Sequence, residues 1–121
     1  MGEIHSVTGW VAIGWTAVVG LWGVVASIRK AEVGPWFALG TIGGLAFTAL
    51  QVGLGLLLFA QGFDPGSFHL FYGIVILFMV AFAYIFRAQL AVDPGLRWGL
   101  LLLFVAGLGL RAWATFGAAV G

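Results

Sequence analysis

The chain has 121 residues, of which 63% are apolar and 7% are charged, and its net charge at neutral pH is +1. This composition supplies too little polar surface for a soluble globule of this size, so it predicts an integral membrane protein. The small net charge gives no indication of nucleic-acid binding. Without cysteine, the chain can form no disulfide, no thiolate metal site and no covalent c-type haem link.

Four long apolar runs predict four membrane-spanning helices within a single domain, residues 1–121. At about 1.5 Å of rise per residue, each run can cross a hydrocarbon core about 30 Å thick. Short connections between consecutive spans favour antiparallel neighbours, so we expect an all-α, up-down-up-down four-helix bundle. The predicted spans are residues 4–28, 36–60, 68–90 and 97–120.

The basic residues indicate how this bundle is oriented. Arg29 and Lys30 follow the first span, and Arg87 and Arg97 flank the third connection, so they share one face. The positive-inside tendency assigns that face to the cytoplasm. We therefore expect both termini and the connection 61–66 on the outer side of the membrane, which we expect to be a prokaryotic plasma membrane.

The chain contains two histidines, and a similar pattern surrounds both. His5 begins the first apolar run and His69 begins the third, and a glycine follows each after four residues, at Gly9 and Gly73. The first and third helices of such a bundle run in the same direction and lie diagonally, about 11 to 14 Å apart. We therefore expect both imidazoles at one depth as ligands of one iron, with the glycines clearing space for a porphyrin.

Ligation by two histidines predicts a non-covalent haem b. With both axial positions filled, no position is open for oxygen or substrate, which favours electron transfer or haem handling over catalysis. The alternative is that each histidine is an interfacial side chain at a helix start. Zinc fits less well, because a structural zinc ion takes four ligands and the outer face adds only Glu3 and Asp64.

Two more polar residues lie within predicted spans and are candidate cofactor-binding residues. Arg111 lies about seven to ten residues from the outer end of the fourth span, and its charge requires a partner or access to headgroups. The candidate partners are Gln51, Glu3, Asp64 or a haem propionate, which would make a bidentate contact with the guanidinium. Gln51 alone is more simply interpreted as a hydrogen-bonding contact between helices.

A short outer loop separates the stretch Leu-Gln-Val-Gly-Leu-Gly, residues 50–55, from Phe-His-Leu, residues 68–70, and the two histidines are 64 residues apart. In these features the chain resembles one four-helix half of the haem A synthase family. The resemblance implies that His5 and His69, on the first and third helices, hold a haem near the outer face. Only one half is present, so haem A synthesis would require two paired chains.

Other functions remain open at this point. No residue set typical of catalysis is present, which favours a non-enzymatic protein and leaves an enzyme open. The main alternative is an accessory or assembly subunit of a larger respiratory or photosynthetic membrane complex, packed through its glycine-rich helix faces. A small exporter fits less well, because no span contains a carboxylate. Membrane lipid is the expected surrounding, and the sequence leaves open a homodimer, a larger membrane complex and the redox partner.

Overall fold

The structure is a computed structural model that describes the backbone of residues 2–116 and the side chains of residues 4–116. Within this range the chain is helical and contains no strand. Four of its helices are long and apolar enough to cross a membrane, which confirms that part of the predicted fold. The helices are α1 (Gly2–Ile28), α2 (Gly34–Ala60), α3 (Ser67–Ile85), the short α4 (Arg87–Leu90) and α5 (Pro94–Ala114).

The long helices form a bundle in which each packs against two neighbours. Helices α2 and α5 both contact α1 and α3, whereas no Cα atoms of α1 and α3 lie within 8 Å of each other in the described part of the chain. Helices α1 and α3 are therefore diagonal. The start of α1 packs on the end of α2, and the start of α3 packs on the end of α5, so these neighbours are antiparallel.

The closest approach of two helices is between α1 and α5. A Cβ atom at Gly23 would lie 2.5 Å from the carbonyl oxygen of Gly95, and one at Gly20 would lie 2.9 Å from that of Gly99. These distances are too short for any side chain, so glycine on both helices allows backbone to lie against backbone. The core continues beside this contact with Leu102 and Val105 of α5, which are fully buried.

Two helices end earlier than the spans that the sequence predicts. Helix α3 ends at Ile85 instead of residue 90, because Phe86 leaves the helical conformation and the chain restarts as α4. The guanidinium of Arg87 donates a hydrogen bond of 2.6 Å to the carbonyl of Tyr84, which satisfies a terminal acceptor of α3.

The observed bounds of α5 also differ from those of the fourth predicted span, residues 97–120. Helix α5 begins at Pro94, because proline is compatible with the first helical turn, and ends at Ala114. The rest of that predicted span, residues 117–120, lies outside the described residues.

The connection between α2 and α3 joins the end of α2, which packs on His5, to the start of α3, which carries His69. It turns sharply at Gly62 and Gly66, which have positive φ angles of 97° and 90°. The carboxylate of Asp64 accepts the Gly66 N–H at 2.9 Å. The end of α2 therefore lies beside the start of α3, and we call this end of the bundle the histidine end.

Candidate functional site

At the histidine end, the imidazoles of His5 and His69 lie next to each other. Their ring centroids are 6.0 Å apart, and the ring planes are nearly perpendicular, at 79°. A metal–nitrogen bond is about 2.0–2.1 Å long, so two imidazoles on opposite sides of one ion bring their centroids to roughly 6 Å. The observed separation therefore suits a single ion between the two rings.

His69 is held by the backbone of α5. Its Nδ1 lies 2.6 Å from the carbonyl oxygen of Ala112, and because a carbonyl only accepts hydrogen bonds, Nδ1 carries the proton. The lone pair of Nε2 is then free. Histidine ligands of metals commonly donate their other ring N–H to a carbonyl in this way, which fixes the tautomer and the ring orientation. This arrangement leaves Nε2 of His69 available to a metal ion.

His5 is held by side chains and backbone of α2. The amide nitrogen of Gln51 donates to the backbone carbonyl of His5 and lies 2.8 Å from its Nδ1. The hydroxyl of Thr8 contacts the amide oxygen of Gln51. The His5 ring lies over the backbone at Gly55, where a Cβ atom would come within 2.9 Å of Cε1. Gln51 and Gly55 together fix where the His5 ring can lie.

Both imidazoles line a cavity of about 770 Å³ that all four long helices help to form. This volume is within the range of about 300–1,000 Å³ that is typical of ligand and cofactor pockets. Its walls are largely apolar, and they include Gly9, Gly73 and the ring of Phe116. Apolar walls and two neighbouring imidazoles are the groups that hold a haem without covalent links, so the residues present fit a haem.

The two glycines that follow the histidines have different surroundings. A Cβ atom at Gly73 would make only an ordinary contact with Val52, 3.7 Å from its Cγ1, so this position opens onto the cavity. At Gly9 a Cβ atom would lie 3.1 Å from Nε2 of Gln51. Gly9 lines the cavity as predicted, but its missing side chain also makes room for the amide that holds His5.

Arg111 lies on the outside of the bundle. Helix α5 ends three residues later, so Arg111 occupies the last helical turn instead of a position deep in the span, and a cation there is favourable for the helix dipole. Its Nε lies 3.4 Å from the hydroxyl of Tyr72, and its guanidinium carbon lies 5.7 Å from the Tyr72 ring centroid. Arg111 is exposed and is not among the described residues that line the cavity.

The partners predicted for Arg111 are therefore placed as follows. Gln51 is engaged with His5 and Thr8, so the structure gives Arg111 Tyr72 as its neighbour instead. Asp64 accepts the Gly66 N–H in the turn. The side chain of Glu3 lies outside the described residues. A contact between Arg111 and a haem propionate remains a prediction.

The sequence interpretation missed three of the groups that hold the histidines. Thr8 lies three residues after His5, so helical spacing could have placed it beside that histidine. Gly55 lies four residues after Gln51, so helical spacing could have placed it on the same helix face as that amide. The third group, the carbonyl of Ala112, is a backbone atom, and no residue type signals its role.

Metal-ligating side chains are few in this bundle. Over the side chains of residues 4–116, no group of three or more His, Cys, Asp or Glu residues is placed to hold a metal ion. Among the described side chains a bare zinc ion would therefore find two imidazoles instead of the four ligands of a structural zinc site, whereas a haem iron receives four ligands from its porphyrin and needs only two imidazoles.

No family model, curated protein or solved structure matches this chain. A function is therefore argued from the site itself.

Proposed function

We propose that the chain is an up-down-up-down bundle of four transmembrane helices that binds one haem b through His5 and His69. Its role is electron transfer or haem handling. The observation that carries this proposal is the pair of neighbouring imidazoles that line one largely apolar cavity, with ring centroids 6.0 Å apart. Two axial imidazoles leave the iron no open position, which favours a one-electron carrier over an oxygen-activating centre.

The chain's own residues would bind the haem and shield it from water. His69 keeps its Nε2 lone pair free because its Nδ1–H donates to the Ala112 carbonyl. The rings of Phe63 and Phe116 stack, with centroids 6.1 Å apart, and Phe116 also contacts the edge of His69 at 5.2 Å. Phe116 thus packs against His69, and exclusion of water by these rings would help set the reduction potential of a bound haem.

The membrane setting follows from the helices and the positions of the charges. The basic residues Arg29, Lys30, Arg87 and Arg97 lie at the end of the bundle opposite the histidines, which supports an orientation with the histidine end outside and the basic end cytoplasmic. We propose a prokaryotic plasma membrane as the location. The resemblance to one half of haem A synthase supports haem ligation, and synthesis would still require two chains to pair.

An absorption spectrum tests this function. Protein purified in detergent from haem-replete cells should show the sharp Soret band and the resolved α and β bands of six-coordinate low-spin haem after reduction by dithionite. His5→Ala and His69→Ala should each abolish that spectrum, because each substitution removes an axial ligand. Phe78→Ala on α3 is the matched control, since Phe78 is 70% exposed and lies outside the cavity lining, and it should retain the spectrum.

A colourless preparation that takes up no added haemin would overturn the proposal. Copurification of that colourless protein with a large membrane complex, unaffected by both histidine substitutions, would instead support an accessory subunit.

A further inference from the structure

The two histidines of the cavity are held through opposite hydrogen-bonding roles. Nδ1 of His69 donates to the Ala112 carbonyl, so its Nε2 presents a lone pair. Nδ1 of His5 instead receives a hydrogen from the amide nitrogen of Gln51, at 2.8 Å. A neutral imidazole carries one proton, so the proton of His5 lies on Nε2. His5 therefore presents an N–H where a metal ligand must present a lone pair.

The neighbouring Thr8 hydroxyl offers a way to exchange these roles. Its oxygen lies 2.6 Å from the carbonyl of Ile4 and also contacts the amide oxygen of Gln51. A hydroxyl has one hydrogen, so it can donate to only one of these two acceptors at a time. In the arrangement with Gln51 nitrogen toward His5, Thr8 donates to the Gln51 oxygen.

Reversing the Gln51 amide gives a second arrangement, in which Nδ1 of His5 can donate a hydrogen bond. The amide nitrogen then donates to Thr8, the Thr8 hydroxyl donates to the Ile4 carbonyl, and the amide oxygen accepts a proton on Nδ1 of His5. The backbone carbonyl of His5 loses the amide donor, and because two carbonyl oxygens repel each other at contact distance, the Gln51 side chain must also move away from that carbonyl. In this arrangement Nε2 of His5 carries the free lone pair that ligation requires.

We propose that Gln51 is a positioning residue that determines which ring nitrogen of His5 carries the proton. The proposal has a second part, which rests on the proposed haem binding: the amide of Gln51 reverses when His5 ligates the iron. Gln51 would thus support ligation through His5 without touching the metal. Polar groups that orient a ligating histidine commonly change metal affinity by about 10–100-fold when they are removed.

The tautomer of His5 can be measured directly in the wild-type protein. The chain has two histidines, so ¹⁵N-histidine labelling gives two ring spin systems, which His69→Ala assigns. Without haem, we expect the His5 proton on Nε2 and the His69 proton on Nδ1. With reduced haem, which is diamagnetic when both axial ligands are imidazoles, both protons should be on Nδ1. A His5 proton already on Nδ1 in the haem-free protein would overturn the proposal.

Substitutions of Gln51 test its role further. In Gln51→Glu the carboxylate can only accept, so the haem-free protein should carry the His5 proton on Nδ1, and the bound haem should have a lower midpoint potential than in the wild type. Gln51→Leu should weaken haemin binding by about 10–100-fold. Thr41→Val is the matched control, because Thr41 is buried on α2 with its hydroxyl unpartnered among the described side chains and lies outside the cavity lining.

The results separate this inference from the proposed function. If the wild type takes up no haemin, the proposed function fails, and the His5 tautomer in haem-free wild type and Gln51→Glu still decides the role of Gln51. An identical His5 tautomer in those two proteins would refute that role. If haemin binds to Gln51→Leu as tightly as to the wild type and to Thr41→Val, haem binding stands and the positioning role of Gln51 is refuted.

Discussion

Each imidazole of the pair is held by a neighbouring helix. Gln51 and Gly55 of α2 support His5, and the carbonyl of Ala112 on α5 orients His69. Small displacements of α2 or α5 would therefore move the rings. At 6.0 Å between centroids, there is little tolerance for such movement if both nitrogens are to reach one ion.

Gly55→Ala tests the space that the His5 ring needs. The added Cβ atom would lie 2.9 Å from Cε1 and 3.3 Å from Nε2 of His5, so the ring must move away from α2. We expect at least a tenfold loss of haemin affinity, because the His5 ring leaves the position that it holds beside His69. Titration with haemin, followed at the Soret band, measures this affinity.

Gly53→Ala is the control for Gly55→Ala, since it lies on the same helix and its added Cβ atom would have nothing within 4 Å. It should bind haemin as the wild type does. Equal affinities for the two variants would show that the ring of His5 is not held by the backbone at residue 55.

Among the elements, the pair α1 and α5 forms the backbone-to-backbone contact on which the bundle is built. Glycines face each other along it at two levels, Gly20 with Gly99 and Gly23 with Gly95. In lipid, helices gain little from apolar burial, so close packing of this kind is a main source of association. This contact lies away from the cavity and holds together the two helices that carry His5 and the Ala112 carbonyl.

Gly23→Ala should weaken this pair of helices. Its Cβ atom would lie 2.5 Å from the Gly95 carbonyl oxygen and 2.7 Å from the ring of Phe37, and backbone cannot move aside as a flexible side chain can. Overpacking of this kind costs about 1–3 kcal/mol. Thermal unfolding in detergent, followed by circular dichroism, should show a clear decrease in Tm.

Gly14→Ala is the matched substitution on the same helix, because nothing lies within 4 Å of its added Cβ atom. It should leave Tm unchanged or raise it slightly, since alanine favours a helix over glycine by about 0.5–1 kcal/mol. The importance of the α1–α5 contact would be refuted by a Gly23→Ala protein as stable as Gly14→Ala.

As a whole, the molecule has an apolar exterior and two different ends. Large apolar side chains cover the sides of the helices, and Val18, Leu50 and Phe78 are each about 70% exposed. One end carries the histidines, which line the cavity, and the other carries Arg29, Lys30, Arg87 and Arg97. Lipid around the sides and unequal charge at the ends would account for this distribution.

The proposed orientation can be tested by labelling single cysteines, because the chain has none of its own. Gln61→Cys lies at the histidine end and Ala31→Cys lies in the connection at the basic end, and both positions are exposed. In intact cells, a membrane-impermeant maleimide should label residue 61 only. Residue 31 should react after permeabilisation, which serves as the internal control. Labelling of residue 31 in intact cells would reverse the orientation.

The sequence by itself determined the four apolar helices, because hydropathy and length are properties of each segment taken alone. Their alternation also placed His5 and His69 at one end, since the first and third of four antiparallel helices run in the same direction. The ends of α3 and α5 were less predictable. They depend on Phe86 and Ala114, where apolar sequence continues although the helix stops.

Only the tertiary structure decided which way each helix faces. The helices are apolar nearly all round, so no polar stripe fixes their rotation, and packing sets it instead. That rotation brings Gln51 to His5, aims Nδ1 of His69 at Ala112, and turns Arg111 outward beside Tyr72. The positions of candidate ligands along the chain were therefore readable from the sequence, whereas their hydrogen-bond partners depend on helix rotations that the apolar pattern leaves free.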